Sequence, residues 1–256
     1  MQKSFNLKQR LHAFGWHLAA SSAVALGVAA LVLGIWFPGA YRYMAGGLGL
    51  LGLIMTVDVV LGPVLTFSVF NTKKSRGHLR RDIATIAVIQ IAALGYGMYS
   101  VYLARPVVLV FENDRFRVLS AADVVTAELP EAVPALRKLS LMGPRTIAVR
   151  KAEAGAERSE SLAAAVFDGV DTSQRPKFWT IYGESERKTA IAAARPLKRL
   201  IEKYPGATSD VQALLKENDL SEFSTTFLPV FARSDAVAVL KSDGVIAGFL
   251  PYDGFF

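Results

Sequence analysis

The sequence predicts a membrane protein in which three N-terminal transmembrane α-helices are followed by a soluble mixed α+β domain. Three observations carry that reading. Three long uncharged or nearly uncharged runs fall within the first 104 residues. The surplus of positive charge is confined to the segments flanking them. From residue 105 the pattern changes to short alternating strands and amphipathic helices with balanced charge.

Residues 11–41 contain no Lys, Arg, Asp or Glu, and their core, residues 18–37, is about one bilayer crossing long. A cleavable secretory signal has a shorter apolar run and an Ala-x-Ala-like site after it. Here the run ends in Trp36-Phe37-Pro38-Gly39, an aromatic edge and a turn, which predicts an uncleaved helix near residues 16–37. Residues 43–72 form a second run, broken only by Asp58. As one helix it would span roughly 45 Å, more than the roughly 30 Å of hydrocarbon. The expectation is a helix near residues 44–70, kinked or frayed by Pro63 and by Gly46-Gly47-Leu48-Gly49; a fold-back at Gly62-Pro63 is the alternative. Residues 83–104 are a third uncharged run, with Tyr96, Tyr99 and Tyr102 at its end as an aromatic belt.

Loop charges set the orientation. Lys3, Lys8 and Arg10 precede the first run, and Lys73, Lys74, Arg76, Arg80 and Arg81 lie between the second and third. The connection between the first two carries only Arg42. Positive loops stay in the cytoplasm, so the N-terminus is expected inside a bacterial inner membrane. Residues 1–104 then form the transmembrane region and residues 105–256 a periplasmic domain.

In that domain, residues 107–112 and 115–119 flank the turn pair Asn113-Asp114 as a hairpin. Residues 146–150 read as a strand and 156–167 as a helix. Residues 184–204 are helical in pattern with Pro196 as a break or a new first turn. Residues 209–217 form a short helix with Ser209 or Asp210 as N-cap. Residues 236–241 and 245–250 flank Ser242-Asp243-Gly244 as a second hairpin.

The charge balance excludes one class of partner. The whole net charge of +7 belongs to residues 1–103, where it sets topology, while the remainder is neutral. Nucleic acid is therefore not an expected partner. The chain has no cysteine, and its three histidines, His12, His17 and His78, all precede residue 104. A Ser-His-Asp triad, a Cys-His pair or a His-ligated metal site cannot be built in the outer domain. No Gly-rich phosphate loop or Gly-x-Ser-x-Gly elbow is present either. No enzyme, metal or cofactor is expected, the acids Glu184 and Glu186 read as a solvated face, and the histidines read as interfacial.

Two features of the membrane region carry candidate site residues. Asp58 lies in mid-run, where an ionised carboxylate costs about 2.5–3.5 kcal/mol on insertion scales. It is either a proton-relay or partner-binding carboxylate, or an acid hydrogen-bonded to Gln90, Ser21, Ser22 or Thr56 that ties helices together. Ala23, Gly27, Ala30 and Gly34 recur on one face of the first helix. Small faces let helices approach closely, within this bundle or against a partner's helix. Asp58, Pro63, Gln90, Gly27 and Gly34 are the candidate intramembrane residues.

The stretch Val57-Asp58-Val59-Val60-Leu61-Gly62-Pro63-Val64-Leu65-Thr66, its continuation to Phe70-Asn71 and the basic loop after it resemble the type IV pilin accessory proteins of the TfpX/TfpZ kind. So do Ala104-Arg105-Pro106-Val107, Val110-Phe111-Glu112 and Asp114-Arg115-Phe116, with His12-Ala13-Phe14-Gly15 and Trp36-Phe37-Pro38-Gly39 before them. The resemblance is specific over residues 11–120. Beyond, it rests on the layout and on Leu228-Pro229-Val230. The ending Pro251-Tyr252-Asp253-Gly254-Phe255-Phe256 departs from a Pro-Trp ending of relatives, which bears on any tail contact. The resemblance implies a non-enzymatic, chaperone-like helper for one type IV major pilin, acting on pilin levels or pilus assembly at the inner membrane; it brings no established functional residues. An envelope sensor with a ligand-binding outer domain is the alternative, and a membrane enzyme using Asp58 a third. Partners are thus the pilin and the lipid bilayer, with the oligomeric state open.

Overall fold

The computed structural model describes residues 7–70 and 75–256. The basic residues Lys3, Lys73 and Lys74 lie outside them. Three helices are long and apolar enough to cross a membrane: α1 (Leu7–Trp36), α2 (Gly47–Val69) and α3 (Arg76–Ala104). The mixed domain that follows bears out the predicted fold class. Two compact units emerge, one made of the chain up to Ile35 with Gly47–Leu103, the other of Trp36–Gly46 with Ala104–Phe256.

Prolines shape the first two helices. α1 closes in a widened π-type turn, Val32–Trp36, just before Pro38. α2 carries another, Thr56–Leu61, just before Pro63. Proline has no N–H to return to the preceding turn, and local π-type adjustment is one way a membrane helix accommodates that loss. The fold-back at Gly62-Pro63 does not occur; α2 runs through it to Val69. Its start is also later than expected. Tyr41–Met44 forms a separate helical turn, and Gly46 at φ +75° ends it before α2 begins.

Tyr41 and Met44 belong to the second unit's core. Met44 is fully buried, and its carbonyl accepts hydrogen bonds from Arg233 N at 2.9 Å and Ser234 N at 3.3 Å. Tyr41 stands edge-on to Phe249, ring centroids 5.5 Å apart. Burial pushes the Tyr41 hydroxyl's pKa up. A segment that reads as an ordinary inter-helix loop is therefore structural to the second unit.

The fold of that unit is one eight-stranded mixed sheet. Its strands are β1 (Pro106–Glu112), β2 (Arg115–Ser120), β3 (Arg145–Val149), β4 (Trp179–Ile181), β5 (Arg195–Pro196), β6 (Thr226–Phe231), β7 (Ala236–Leu240) and β8 (Ile246–Leu250). The order is β4-β3-β1-β2-β6-β7-β8, with β5 paired to β6. The β1–β2 hairpin forms as predicted, with Asn113 at φ 56° supplying the left-handed turn residue. The β7–β8 hairpin likewise turns on Gly244, φ +78°. β2 and β6 pair in parallel, Phe116 opposite Val230, and join the two halves of the sheet.

Alternation along the strands divides the core. Leu109, Phe111, Ala236, Ala238 and Leu240 pack with Met44, Phe116 and Ala190. Val108 and Val110 pack with Leu119, Leu136, Ile147 and Trp179. Val237 and Val239 pack under α6 (Leu197–Lys203) and α7 (Thr208–Glu217) through Leu197, Leu200, Val211 and Leu214. The remaining helices are α4 (Ala156–Ala163) and α5 (Glu184–Ala193). The break at Pro196 is real, with β5 formed there. α7 starts at Thr208 without a side-chain cap, so neither Ser209 nor Asp210 is the N-cap; Asp210 instead accepts a hydrogen bond from Tyr252 Oη at 2.6 Å. Glu186 is not simply solvated, since its carboxylate accepts Gly183 N–H at the start of α5 at 3.0 Å.

Candidate functional site

Two polar residues of α2, Asp58 and Thr66, are buried inside the helical unit. The π-type turn places Asp58 toward the interior, where its residue is 8% exposed and its Oδ1 has no hydrogen-bond partner. In such a turn the backbone acceptor for position 63 is five residues back, the Asp58 carbonyl, and Pro63 cannot supply the N–H. Gln90 of α3 does so instead, its Nε2 donating to Asp58 O at 3.3 Å. This approach requires Gly62: a Cβ there would stand 1.9 Å from Gln90 Nε2. Gly97 likewise brings α3 against Ile54, whose Cγ1 lies 2.9 Å from where a Cβ would be. Asp58, Gly62, Pro63 and Gln90 are thus one arrangement, with Gln90 meeting the backbone of Asp58.

The expected hydrogen-bonded carboxyl is not what forms. Thr56 Oγ1 donates within its own helix to Gly52 O at 2.9 Å. Ser21 lines the same space as Asp58 without satisfying Oδ1. His17, read from sequence as interfacial, shares a 2.5 Å hydrogen bond with the buried Thr66. The sequence carries no local signal for that pairing, because His17 and Thr66 are 49 residues apart and meet only through the register of α1 on α2.

Asp58 opens on two hollows. One, of about 190 Å³, is lined by His17, Ser21, Asp58, Gln90 and Leu94 among others. The other, of about 270 Å³, is lined by Ile54, Val57, Ala93, Gly97 and Ser100 with Asp58. The larger is walled almost wholly by carbon apart from Asp58 and Ser100, whereas the smaller also presents His17, Ser21 and Gln90. Gly27 and Gly34 lie elsewhere: Ala23, Gly27, Ala30 and Gly34 are all exposed, and a Cβ at either glycine would meet nothing within 4 Å. The small face of α1 is therefore not consumed in packing within this chain.

The second unit holds several of its charges in pairs that tie elements together. Arg175, 2.5 Å from Glu128 and 2.6 Å from Glu160, is almost fully buried. Its guanidinium also lies over the Phe178 ring. Arg150 grips Glu157 through two hydrogen bonds, which with the Glu153 N–H hold the Glu157 carboxyl down at about 2. Burial pushes the Tyr182 hydroxyl up to about 12, and it donates to Gly244 O at 3.0 Å. The C-terminal residues pack as well: Arg195 donates to Gly254 O at 2.6 Å and lies over the Phe256 ring. Among the described residues no three His, Asp or Glu side chains gather as a metal-binding group.

Fold and site together define a class: a protein with three membrane-length apolar helices, a polar cluster inside the bundle and a mixed α/β domain. The family described as "Fimbrial assembly protein FimB" matches residues 5–46. The fimbrial assembly protein of serogroup E1 from Dichelobacter nodosus is 38% identical over 220 residues, 86% of this chain and 85% of that protein. The serogroup I protein of the same organism shows the same identity and coverage. That of serogroups C1 and C2 is 42% identical over 118 residues, 46% of this chain and 90% of that one. The chain belongs to the fimbrial assembly protein family. No solved structure matches it.

Proposed function

We propose that this protein is a non-enzymatic accessory factor of the TfpX/TfpZ kind that serves one type IV major pilin in the inner membrane, stabilising it or assisting its assembly. The observation that carries this reading is Asp58 Oδ1, a buried carboxylate atom without a partner, opening on apolar hollows in a member of a fimbrial assembly family. An uncompensated carboxylate inside a bilayer is costly, and a hydrogen-bond donor or cation on another transmembrane helix is the group that relieves it. The exposed small face of α1, with Gly27 and Gly34, offers a line along which a partner helix approaches closely. In this reading the N-terminus and residues 71–82 face the cytoplasm, and residues 106–256 meet the partner's soluble head in the periplasm.

Deleting the gene lowers surface pili of the cognate pilin type and affects another type less. Crosslinking in living cells from the outer domain recovers the pilin. Unchanged piliation and twitching, with the cognate pilin expressed, would overturn the proposal.

A further inference from the structure

The chain leaves α3 at Ala104, and the residue that follows, Arg105, is almost fully buried in the outer domain. Its Nε donates to Ser140 O at 3.3 Å. This contact holds one loop, residues 137–145, beside the point where the chain emerges. The uncharged stretch of α3, residues 83–104, is roughly 33 Å long at the helical rise. That matches the roughly 30 Å of bilayer hydrocarbon, so Ala104 falls at the hydrocarbon edge and Arg105 at headgroup level. The Arg105 contact keeps Ser140 of the loop next to that exit point.

Its side chains suit that place and suit water poorly. Leu141 is 56% and Met142 81% exposed at the tip. Gly143, φ +74°, turns the chain there. On both sides stand exposed cations, Arg137 and Lys138 before the tip and Arg145 after it. Two of them brace the neighbouring backbone, Arg137 Nε on Ala132 O at 3.0 Å and Arg145 Nη1 on Ala135 O at 2.7 Å. Among the described residues none of the three is in an ion pair. An apolar tip between cations is the pattern of a segment that lies in a membrane interface, with carbon toward the acyl chains and charge toward lipid phosphates.

We propose that residues 137–145 are a lipid-binding anchor: Leu141 and Met142 enter the boundary between acyl chains and headgroups, while Arg137, Lys138 and Arg145 meet the phosphates of anionic lipids. The anchor adds a second attachment beside the covalent one at Ala104 and so restricts the outer domain's tilt. It does not depend on the identity of any protein partner.

The cysteine-free sequence makes the test direct. Met142→Cys in the full chain is labelled with a nitroxide and placed in nanodiscs of mixed zwitterionic and anionic phospholipid. Glu217→Cys, at an exposed position of α7, serves as the comparison. At position 142 collisions with dissolved oxygen exceed those with a water-soluble nickel complex, as for a label among acyl chains, and position 217 shows the reverse. Replacing the anionic lipid by zwitterionic lipid, or introducing Lys138→Glu with Arg145→Glu, draws the label at 142 toward water. Preferential access of the nickel complex to position 142 in anionic nanodiscs would overturn the anchor. So would low access of both reagents, the mark of a site covered by protein.

Discussion

Truncating Met44 should destabilise a domain that begins, in sequence, some sixty residues later. Met44 is fully buried among Leu109, Phe116, Leu228 and Val230, and Met44→Ala removes three heavy atoms from that packing. Large-to-small changes at such sites cost about 2–5 kcal/mol, transfer and cavity together. Domain stabilities are about 5–15 kcal/mol, so the loss is a large fraction. With a guanidinium slope of roughly 2–6 kcal/mol/M for small domains, the midpoint falls by about 1 M. The assay is guanidinium unfolding of the full chain in detergent, followed by Trp179 fluorescence in a Trp16→Phe, Trp36→Phe background. Trp179 is buried in the sheet and its indole donates to Ser173 O at 2.7 Å. The comparison is Leu48→Ala, four residues on but 52% exposed on α2, which leaves that midpoint unchanged. A Met44→Ala midpoint within experimental error of the parent would refute the assignment of Trp36–Gly46 to the sheet-containing unit.

Arg175→Ala leaves the nearly buried Glu128 carboxylate with only the longer Lys177 pair, 3.9 Å away, and should cost about 3 kcal/mol, the lower end of the penalty for breaking a buried pair; equilibrium unfolding measures it. The Glu157 carboxyl is held at about 2 in the folded chain, below the roughly 4.3 of an unfolded glutamate. Its contribution is therefore present above the unfolded value and is lost as pH falls through about 2. Glu157→Gln should thus lower stability at neutral pH and converge on the parent in acid, and equal losses at both ends would refute the linkage. Asp58→Asn should insert and accumulate normally, because the amide keeps hydrogen-bonding capacity without charge, whereas Asp58→Leu should reach normal levels with reduced piliation; a Leu variant indistinguishable in both assays would remove any role for the carboxyl. Alkaline phosphatase should be active when fused after Phe116 and inactive after Arg76, and the opposite pattern would overturn the proposed orientation.

The long uncharged runs and the two hairpins were legible because each depends on local pattern: length and absence of charge for the spans, and Asn113-Asp114 and Asp243-Gly244 between apolar alternations for the turns. Three things were not. The role of Tyr41 and Met44 arises from contacts with Phe249 and Leu228, about two hundred residues away, and short range offers no sign of it. The strands β4 and β6 were missed because Trp179-Thr180-Ile181 is short and Pro229 interrupts Thr226–Phe231; Pro229 is tolerated inside the sheet without donating to it. At the candidate site, Asp58, Pro63 and Gln90 stood out individually as a charge, a proline and an amide in apolar runs. Their union through the Asp58 carbonyl depends on the π-type turn, which shifts the helical register in a way that composition does not encode.

In the proposed function, the cognate pilin docks on the Asp58 region of this fimbrial assembly family member. A photo-crosslinking residue placed at Leu53, exposed beside the larger hollow, tests it most directly in living cells that express the cognate pilin. The account predicts a crosslinked product that contains the pilin and is lost with Asp58→Leu while the protein itself stays at normal level. Crosslinking to lipid alone, or a pilin product unaffected by Asp58→Leu, would contradict it.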